Sequence, residues 1–324
     1  MAGKYISIAR AKTIFQRQKE PIWNDHYVPG ILATVKEAPS ISHAFILTPQ
    51  KLGGREVHLL STPERNAALL GLYHPEVVGL QEQRMLNPNA TVHPLWSHPE
   101  ADRDRLQHLA GTIQTAEQLE MLDELPTVLA SLQEKSKRIS IVYPWCGDLL
   151  WAIKKDDRPL NCINWNIKDK LSAFKRPIAH DKKDGPIRLL ARYEIEEAYY
   201  ASASIRTVSV SQDQIDHNVS ANLRQLFLHH SEVLSISNDA RADIVERYHS
   251  ALNLGIPPSD VIDYYSERGI YSIHEIRTVF YQAVWHRDLR VDLFKPILIN
   301  RPMNSEIRDV IEVYKDWFEC EPCI

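Results

Sequence analysis

Hydrophobic and polar positions alternate with a period of two along much of the first two-thirds of the chain. Proline, glycine and other turn-forming residues bound these runs, which is the pattern of short β-strands joined by turns. The predicted strands span residues 35–42, 44–47, 57–60, 77–80, 139–143, 148–153, 161–167 and 205–210.

Apolar positions spaced three to four residues apart predict helices between these strands. One helix opens at Ser61, whose hydroxyl is an N-cap with Glu64 three residues on, the arrangement of a capping box. The predicted helices of this region are an N-terminal one ending before about Trp23, followed by 63–73, 115–133 and 186–203.

The last third of the chain changes to an almost wholly helical pattern. Three or four helices followed by a small hairpin are the outline of a winged helix, and a plain helical bundle is the alternative. The predicted helices are 218–230, 239–252, 259–268 and 272–285, and the short apolar pieces of the wing are 291–292 and 296–298.

Strands mixed with helices, and then helices alone, predict an α/β fold organised in two domains. We expect a mixed-sheet domain over residues 1–213 and a winged-helix-like domain over 214–324. Three prolines interrupt the pattern after residue 87, so we interpret 87–137 as an insertion of one or two helices.

The composition of the chain excludes several classes of protein. The chain has 324 residues, 44% of them hydrophobic, with 38 Lys and Arg against 42 Asp and Glu, for a formal charge of −4. This composition excludes disorder over most of the chain, and no apolar run is long enough to predict a membrane span. The first twenty residues lack the apolar segment of a secretory signal, and four cysteines do not form a disulfide framework. We therefore expect a cytoplasmic protein.

The location of the charges is more informative than their sum. Two basic runs, opposed by few acids, suggest a surface that follows phosphates, whereas solvated helix faces and loops are the plainer explanation. The first run comprises Lys4, Arg10, Lys12, Arg17 and Lys19, and the second Lys168, Lys170, Lys175, Arg176, Lys182, Lys183 and Arg188. The acids collect at Glu100, Asp102, Asp104, Glu117, Glu120, Asp123 and Glu124.

Acidic residues and a lysine occur in a fixed order within the predicted mixed-sheet domain. Glu64 lies at the start of a helix, Asp148 begins an apolar strand, and Asn166 and Lys168 end the next strand. Residues two apart on a strand share a face, and a hairpin between the two strands would bring Asp148 beside that face.

These residue types suit metal-assisted phosphodiester hydrolysis. Mg²⁺ takes hard oxygen ligands, which Asp148, Glu64 and the side-chain or neighbouring backbone carbonyl of Asn166 can supply. Lys168 cannot bind a cation, but it can polarise an attacking water and offset charge on the scissile phosphate. By itself this pattern is weak, because carboxylates and lysines are common at the ends of strands.

Around these residues the sequence resembles TnsA, the endonuclease subunit of heteromeric cut-and-paste transposases. The resemblance is sharpest from Arg55 to Glu64, where a histidine, two leucines and a serine precede the glutamate. The resemblance is weaker in 87–137 and after about residue 300. It continues through residues 27–29, 35–40, 75–78, 81–83, 147–150, 166–168, 192–196 and 205–210.

The resemblance implies a restriction-endonuclease-like core with a C-terminal winged-helix domain. Carried over by position, Glu64, Asp148 and Lys168 form the catalytic set, and Glu64, Asp148 and Asn166 hold Mg²⁺, for which Mn²⁺ can substitute. The implied activity is cleavage of the 5′ strands at the ends of a mobile element in double-stranded DNA. The implied partners are a TnsB-like transposase, which cuts and joins the 3′ ends, and a TnsC-like ATP-dependent regulator.

Two departures from the family pattern keep alternatives open. Asn166 stands where the family has the longer Gln, and the 87–137 insertion has no clear family counterpart. One alternative is a stand-alone restriction or repair nuclease with the same core. The other is a non-catalytic DNA-binding or assembly subunit that has lost its metal.

Several other residues are assigned ordinary roles. We interpret His58 and Gln83 as packing or hydrogen-bonding residues, and Glu194 and Glu196 as acids on a helix surface. Cys146 and Cys162 are expected to be small buried residues. Cys320 and Cys323 form a CxxC without a second pair, so we assign it to a flexible tail and expect no zinc site.

Overall fold

The computed structural model describes residues 6–24, 26–39, 43–131, 138–156, 158–175 and 185–320. The chain divides into two compact units. Unit 1 comprises Met1–Ala67, Pro75–Gln214 and Trp317–Ile324, and unit 2 comprises Ala68–His74 and Ile215–Asp316.

Unit 1 is a mixed α/β structure. Its helices are α1 (Ile8–Arg17), α2 (Thr62–Tyr73), α3 (Thr112–Gln118) and α4 (Gly185–Ala201). Helix α2 begins in unit 1 and continues into unit 2. Its strands are β1 (Phe45–Leu47), β2 (Val57–Leu59), β3 (Val77–Met85), β4 (Thr127–Ser131), β5 (Arg138–Val142), β6 (Cys146–Ile153), β7 (Asn161–Lys168) and β8 (Arg206–Ser211).

The central sheet has the strand order β3-β6-β7-β8. The β3–β6 and β6–β7 pairs are antiparallel, whereas β7 and β8 run parallel, so the sheet is mixed. Strands β1 and β2 form one separate antiparallel pair, and β4 and β5 form another. The predicted α/β class is therefore confirmed at the level of a mixed sheet with several helices.

Helix α4 packs on one face of the central sheet because its tyrosines meet the apolar residues of the middle strands. Leu150 and Cys162 belong to the same buried cluster as Tyr199 and Tyr200. Since neighbouring residues of a strand point to opposite faces, Trp151 and Trp165 lie on the other side of the sheet. Both indoles are fully buried.

The segment after residue 87 is part of the fold of unit 1. Thr91 pairs with Leu109 in an isolated bridge, and Ala116 and Leu125 share a buried cluster with Ile195 of α4. The predicted helix 115–133 is wrong in its second half, where β4 pairs with β5. Helix α3 ends at Gln118, Glu120 takes a positive φ of 58°, and Pro126 precedes the strand.

The strand predicted over 35–42 is also wrong for its described part. Residues 34–38 form a turn, in which the amides of Glu37 and Ala38 both donate to the carbonyl of Thr34. Val35 is fully exposed there, so the apolar run has no packing partner that would favour a strand. Residues 40–42 lie outside the described residues.

Unit 2 is built from helices. Buried side chains of α6 and α8, such as Tyr248 and Phe280, pack with ring centroids 5.1 Å apart. The helices wholly within this unit are α5 (His217–Phe227), α6 (Asn238–Leu254), α7 (Pro258–Ser266), α8 (Ile273–Trp285) and α9 (Val310–Val313). None of the helices in the described ranges has the length and apolar character required to cross a membrane.

The region predicted as a wing has a different pairing. Val291 forms an isolated antiparallel bridge with Ser305. Residues 291–292 and 296–298, all of which the structure describes, form no strand pair with each other. The helical pattern of this unit is therefore present without the predicted hairpin.

Candidate functional site

A cavity of about 790 Å³ opens in unit 1 where α1, α2 and the central sheet meet. The side chains of Glu64, Asp148 and Lys168 all contribute to its lining, together with Gln83 and Arg192. The structure thus brings together three of the four site residues predicted from the sequence, and they come from α2, β6 and β7.

Ser61, the N-cap predicted for α2, holds Glu64 in place together with the amide of Leu60. The Ser61 hydroxyl donates to Glu64 Oε1 (2.9 Å) and accepts the Glu64 amide (3.3 Å). The Leu60 amide donates to Glu64 Oε2 (2.8 Å). The carboxylate is 8% exposed, so these bonds fix a buried acid at the edge of the cavity.

Gln83 joins Glu64 to the central sheet. Its Nε2 donates to Glu64 Oε2 (3.0 Å), and the β3–β6 ladder places it opposite Asp148, between the pairs Glu82–Leu149 and Arg84–Gly147. Its backbone has a positive φ of 48°, which is strained for a residue with a side chain. The hydrogen-bonding role expected for Gln83 is present, and its partner is the candidate catalytic acid.

Gly30 supports this arrangement from the N-terminal segment. Its amide donates to the carbonyl of Gln83 (2.9 Å). A Cβ on Gly30 would lie 2.7 Å from Cys146 Sγ and 3.0 Å from Gln83 O, so the close approach requires glycine. The strained backbone of Gln83 is therefore held from two sides.

We predict that Gln83→Gly destabilises the protein less than Gln83→Ala does. Both variants lose the bond to Glu64, at a cost of about 1–2 kcal/mol, but glycine also relieves the positive φ. Urea denaturation of both variants measures the difference. In an ordinary strand alanine is the better tolerated of the two, so that order would contradict the strained conformation of Gln83.

Asp148 lies in β6, and its orientation is fixed by the neighbouring strand. The Ile167 amide of β7 donates to Asp148 Oδ2 (2.7 Å). The preceding ladder pair joins Leu149 to Trp165, as the predicted hairpin between these strands requires. Asp148 is only half-buried, and it faces the cavity that Glu64 also lines.

Lys168 keeps its charge in this surrounding. Burial acts to lower its pKa, but the charge of Asp148 and contact with Tyr193 outweigh that effect, so the pKa of Lys168 is raised above its ordinary value. The ammonium lies 5.2 Å from the centroid of the Tyr193 ring. Lys168 is therefore a fixed cation beside Asp148 and is not suited to act as a neutral base.

Asn166 is the predicted ligand that the structure does not bring into the cavity. It is 3% exposed, on β7 between Trp165 and Ile167, and it does not contribute to the lining. A metal contact through its side chain has no support from this placement.

Glu196 is a residue whose position the sequence interpretation missed. It was expected on a helix surface, but it is fully buried between α4 and the sheet. Asn164 Nδ2 donates to its Oε1 (3.3 Å), Arg192 Nε lies 3.8 Å from its Oε2, and Oε2 has no hydrogen-bond partner among the residues that the structure describes. An arginine four residues before a glutamate is common on exposed helix faces, so the sequence carried no signal that separated Glu196 from Glu194.

Two carboxyl groups of the site bind protons more tightly than ordinary glutamates. Burial, followed by the charge of Asp148, raises the pKa of Glu64 to about 7. Burial also raises the pKa of Glu196 to about 7, where Arg192 opposes the shift and Asp148 adds to it. Asp148 thus destabilises the ionised form of both neighbours, which is the electrostatic condition that a bound cation would relieve.

The donor set fits a divalent metal that keeps most of its waters. Mg²⁺ sites commonly use one or two carboxylates together with water and substrate phosphate. Asp148 and Glu64 provide two such carboxylates on one cavity. Among the described residues, no cluster of three or more His, Cys, Asp and Glu side chains is arranged as a ready metal site.

The basic runs predicted from the sequence are only partly free to meet a phosphate. Both Arg17 guanidinium nitrogens contact the Glu37 carboxylate at 2.7 Å, and Arg10 Nη2 donates to Glu37 O (2.8 Å). This ion pair lowers the pKa of Glu37 and partly neutralises the N-terminal run. Lys4, Arg176, Lys182, Lys183 and the Arg188 side chain lie outside the described residues.

The cysteines have the surroundings expected of buried residues. Cys146 and Cys162 are both buried, and burial raises the pKa of the Cys146 thiol to about 12. Cys320 is partly buried, while Cys323 lies outside the described residues, so the CxxC prediction is not decided.

Comparison of the sequence with protein-family models and with curated proteins finds no match in either.

Proposed function

We propose that this chain is a Mg²⁺-dependent DNA endonuclease of the TnsA type. In this proposal unit 1 is a restriction-endonuclease-like core, and unit 2 is the counterpart of the family's winged-helix domain. The observation that carries the proposal is the meeting of Glu64, Asp148 and Lys168 on one cavity from three separate elements. The sequence resemblance aligned these same residues with the catalytic set of that family.

Each residue of the cavity has a chemical task in phosphodiester hydrolysis. Glu64 and Asp148 would hold Mg²⁺, which would supply Lewis acidity toward the scissile phosphate. Asp148 is oriented for binding by the Ile167 amide, and Glu64 by Ser61, Leu60 and Gln83. Lys168 stabilises the negative charge that develops on the phosphate and orients the attacking water. Because burial and Asp148 raise the pKa of Glu64 to about 7, this carboxyl would release its proton to solvent in order to serve as a metal ligand.

The biological role in the proposal is cut-and-paste DNA transposition. The chain cleaves the 5′ strands at the element's ends in the cytoplasm, and a TnsB-like transposase cuts and joins the 3′ strands. A TnsC-like ATP-dependent regulator is the third component. A modest overall charge of −4 and the Arg17–Glu37 pair support a subunit that depends on partners for DNA affinity.

One observation favours a second candidate, a non-catalytic assembly subunit. The position that carries Gln in the family is occupied by Asn166, whose side chain does not line the cavity. If the metal shell requires that side chain, the chain would bind DNA or its partners without cutting.

Cleavage of 5′-labelled duplexes that carry the element's ends tests the proposal. We expect Mg²⁺-dependent nicks at the 5′ strands when the partner transposase is present, and little cleavage by the chain alone. Specific cutting by the purified chain alone would favour the stand-alone nuclease. No 5′ cleavage in the complete mixture, with 3′ cleavage intact, would favour the assembly subunit.

We predict that Lys168→Met reduces 5′ cleavage by about 10²-fold, since it keeps the aliphatic stem and removes only the fixed cation. The variant should bind Mn²⁺ at least as tightly as the wild type because a repelling charge is gone. Lys170→Met, on an exposed neighbour, is the control. Weaker Mn²⁺ binding in Lys168→Met would contradict the role assigned to this lysine.

A further inference from the structure

After unit 2 the chain returns to unit 1 at Trp317. There it packs on the face of β7 opposite to Lys168, which is called the back face below. Trp317 and Phe318 contact Trp165 of β7, with ring centroids 5.9 Å and 5.0 Å apart. The Trp165 indole N–H donates to the carbonyl of Trp317 (2.9 Å). Phe318 is 1% exposed, so the contact is a buried one.

A second anchor ties the same segment to the edge of the sheet. Arg206 Nη1 on β8 donates to the carbonyl of Glu319 (2.8 Å). Trp151 of β6 packs against Trp165 from the other strand, with centroids 5.4 Å apart. Residues 317–319 therefore contact β7 and β8, and β6 is linked to them through Trp165.

Strand β7 contacts the candidate site through side chains on its front face and through a backbone amide that orients Asp148. Asn164 donates to Glu196, and Lys168 approaches Tyr193 of α4. The Ile167 amide donates to Asp148. Because side chains alternate along a strand, the ring of Trp165 occupies the back of the β7 segment that carries these groups.

We propose that Trp317 and Phe318 form a C-terminal clasp that positions β7, and through the Ile167 amide and Lys168 sets the geometry of the cavity. The clasp rests on the proposed function only for its effect on metal binding and cleavage, since its effect on the strand can be measured directly. Both residues are positioning residues, because they contact Trp165 and do not reach the cavity lining.

A void on the back face of β7 would allow the strand to move. Removing the Phe318 ring leaves a cavity against Trp165, and buried residues beside such a void relax into it. A shift of β7 of a fraction of an ångström lengthens the 2.7 Å bond between the Ile167 amide and Asp148. Groups that orient metal ligands from outside typically change metal affinity by about 10- to 100-fold when they are lost.

The test compares full-length variants with matched controls. Phe318→Ala removes the ring, and Phe318→Leu restores most of the apolar volume. Leu125→Ala is a control for general destabilisation, because Leu125 is buried in the same unit in a cluster with Ala116 and Ile195 that contains no residue of β7. Val313→Ala, at an exposed position just before the clasp, is a control for tail substitutions.

Two readouts separate positioning from stability. Amide hydrogen exchange at Ile167 should be faster in Phe318→Ala by about tenfold, with both controls near the wild-type rate. The Mn²⁺ dissociation constant should rise by about tenfold in Phe318→Ala and return to within about threefold of wild type in Phe318→Leu. Equal effects of Phe318→Ala and Leu125→Ala on both readouts would overturn the clasp.

Failure of the proposed function has a different signature. A wild-type chain that binds no Mn²⁺ contradicts the metal-dependent endonuclease, and exchange at Ile167 still decides whether the clasp positions β7. Normal Mn²⁺ binding by the wild type together with unchanged exchange in Phe318→Ala contradicts the clasp alone.

Discussion

Replacing Asp148 by alanine should reduce 5′-strand cleavage by about 10³-fold or more, since in the proposed mechanism Asp148 supplies one of the two carboxylates that hold the metal. Asp148 faces the cavity from the middle of the sheet, and its bond to the Ile167 amide fixes its direction. Cleavage and joining of the 3′ strands by the partner should continue. In a reconstituted transposition assay the product should therefore change from clean excision to a replicative cointegrate.

The matched control is Asp156→Ala. Asp156 is an exposed acid near the end of the same hairpin, and it does not contribute to the cavity lining. This variant should excise the element as efficiently as the wild type. Clean excision by Asp148→Ala would show that the assignment of the metal site is wrong.

Replacing Glu64 by glutamine should abolish cleavage and stabilise the protein at the same time. The amide of glutamine can reproduce the bonds of Glu64: its oxygen accepts from Leu60 and Gln83, and its nitrogen donates to the Ser61 hydroxyl. The variant loses the negative charge that a metal requires. It also loses a buried ionised group that lies close to Asp148, which is unfavourable without a cation.

The stabilisation should depend on pH in a defined direction. Because the folded protein raises the pKa of Glu64 to about 7, from an ordinary value of 4.5, the wild type loses stability as pH rises through that interval. Without added metal, Glu64→Gln should gain about 3 kcal/mol in free energy of unfolding at pH 8 relative to the wild type. The gain should vanish below about pH 4.5, where the glutamate is protonated in both states.

Urea denaturation at pH 4.5 and pH 8, in the presence of a chelator, measures this effect. Saturating Mg²⁺ should reduce or reverse the difference at pH 8, because the cation stabilises only the wild type. A pH-independent difference between the two proteins would contradict the raised pKa of Glu64.

The parts of the fold governed by local signals followed from the sequence. The Ser61-x-x-Glu64 pattern predicted the start of α2 and its capping by Ser61. The two apolar runs predicted the hairpin of β6 and β7 that brings Asp148 beside β7, and the bond from the Ile167 amide to Asp148 was found only in the structure. These features depend on residues close together in the chain.

The failures share a dependence on distant contacts. Val35 has an apolar side chain in a strand-like run, but the fold offers it no partner, and Arg17 pairs with Glu37 to form a turn there. Residues 127–131 have a Leu-containing pattern compatible with a helix, and pairing with β5 decides that they form a strand.

Glu196 shows the same limit within the candidate site. Acids on amphipathic helices usually face water, and nothing local distinguishes it from Glu194. Its burial depends on Gly147 of β6, where a Cβ would lie 2.8 Å from Glu196 Oε1. That contact joins parts of the chain that no periodicity connects, so the sequence pattern could not reveal the most buried acid of the site.

Crystals soaked with Mn²⁺ test the central claim most directly, because anomalous scattering locates the ion without an activity assay. We predict an anomalous peak within coordination distance of carboxylate oxygens of both Glu64 and Asp148, and its loss in crystals of Asp148→Ala. A saturated soak of wild-type crystals with no peak at these two carboxylates would contradict a metal-dependent nuclease at this site.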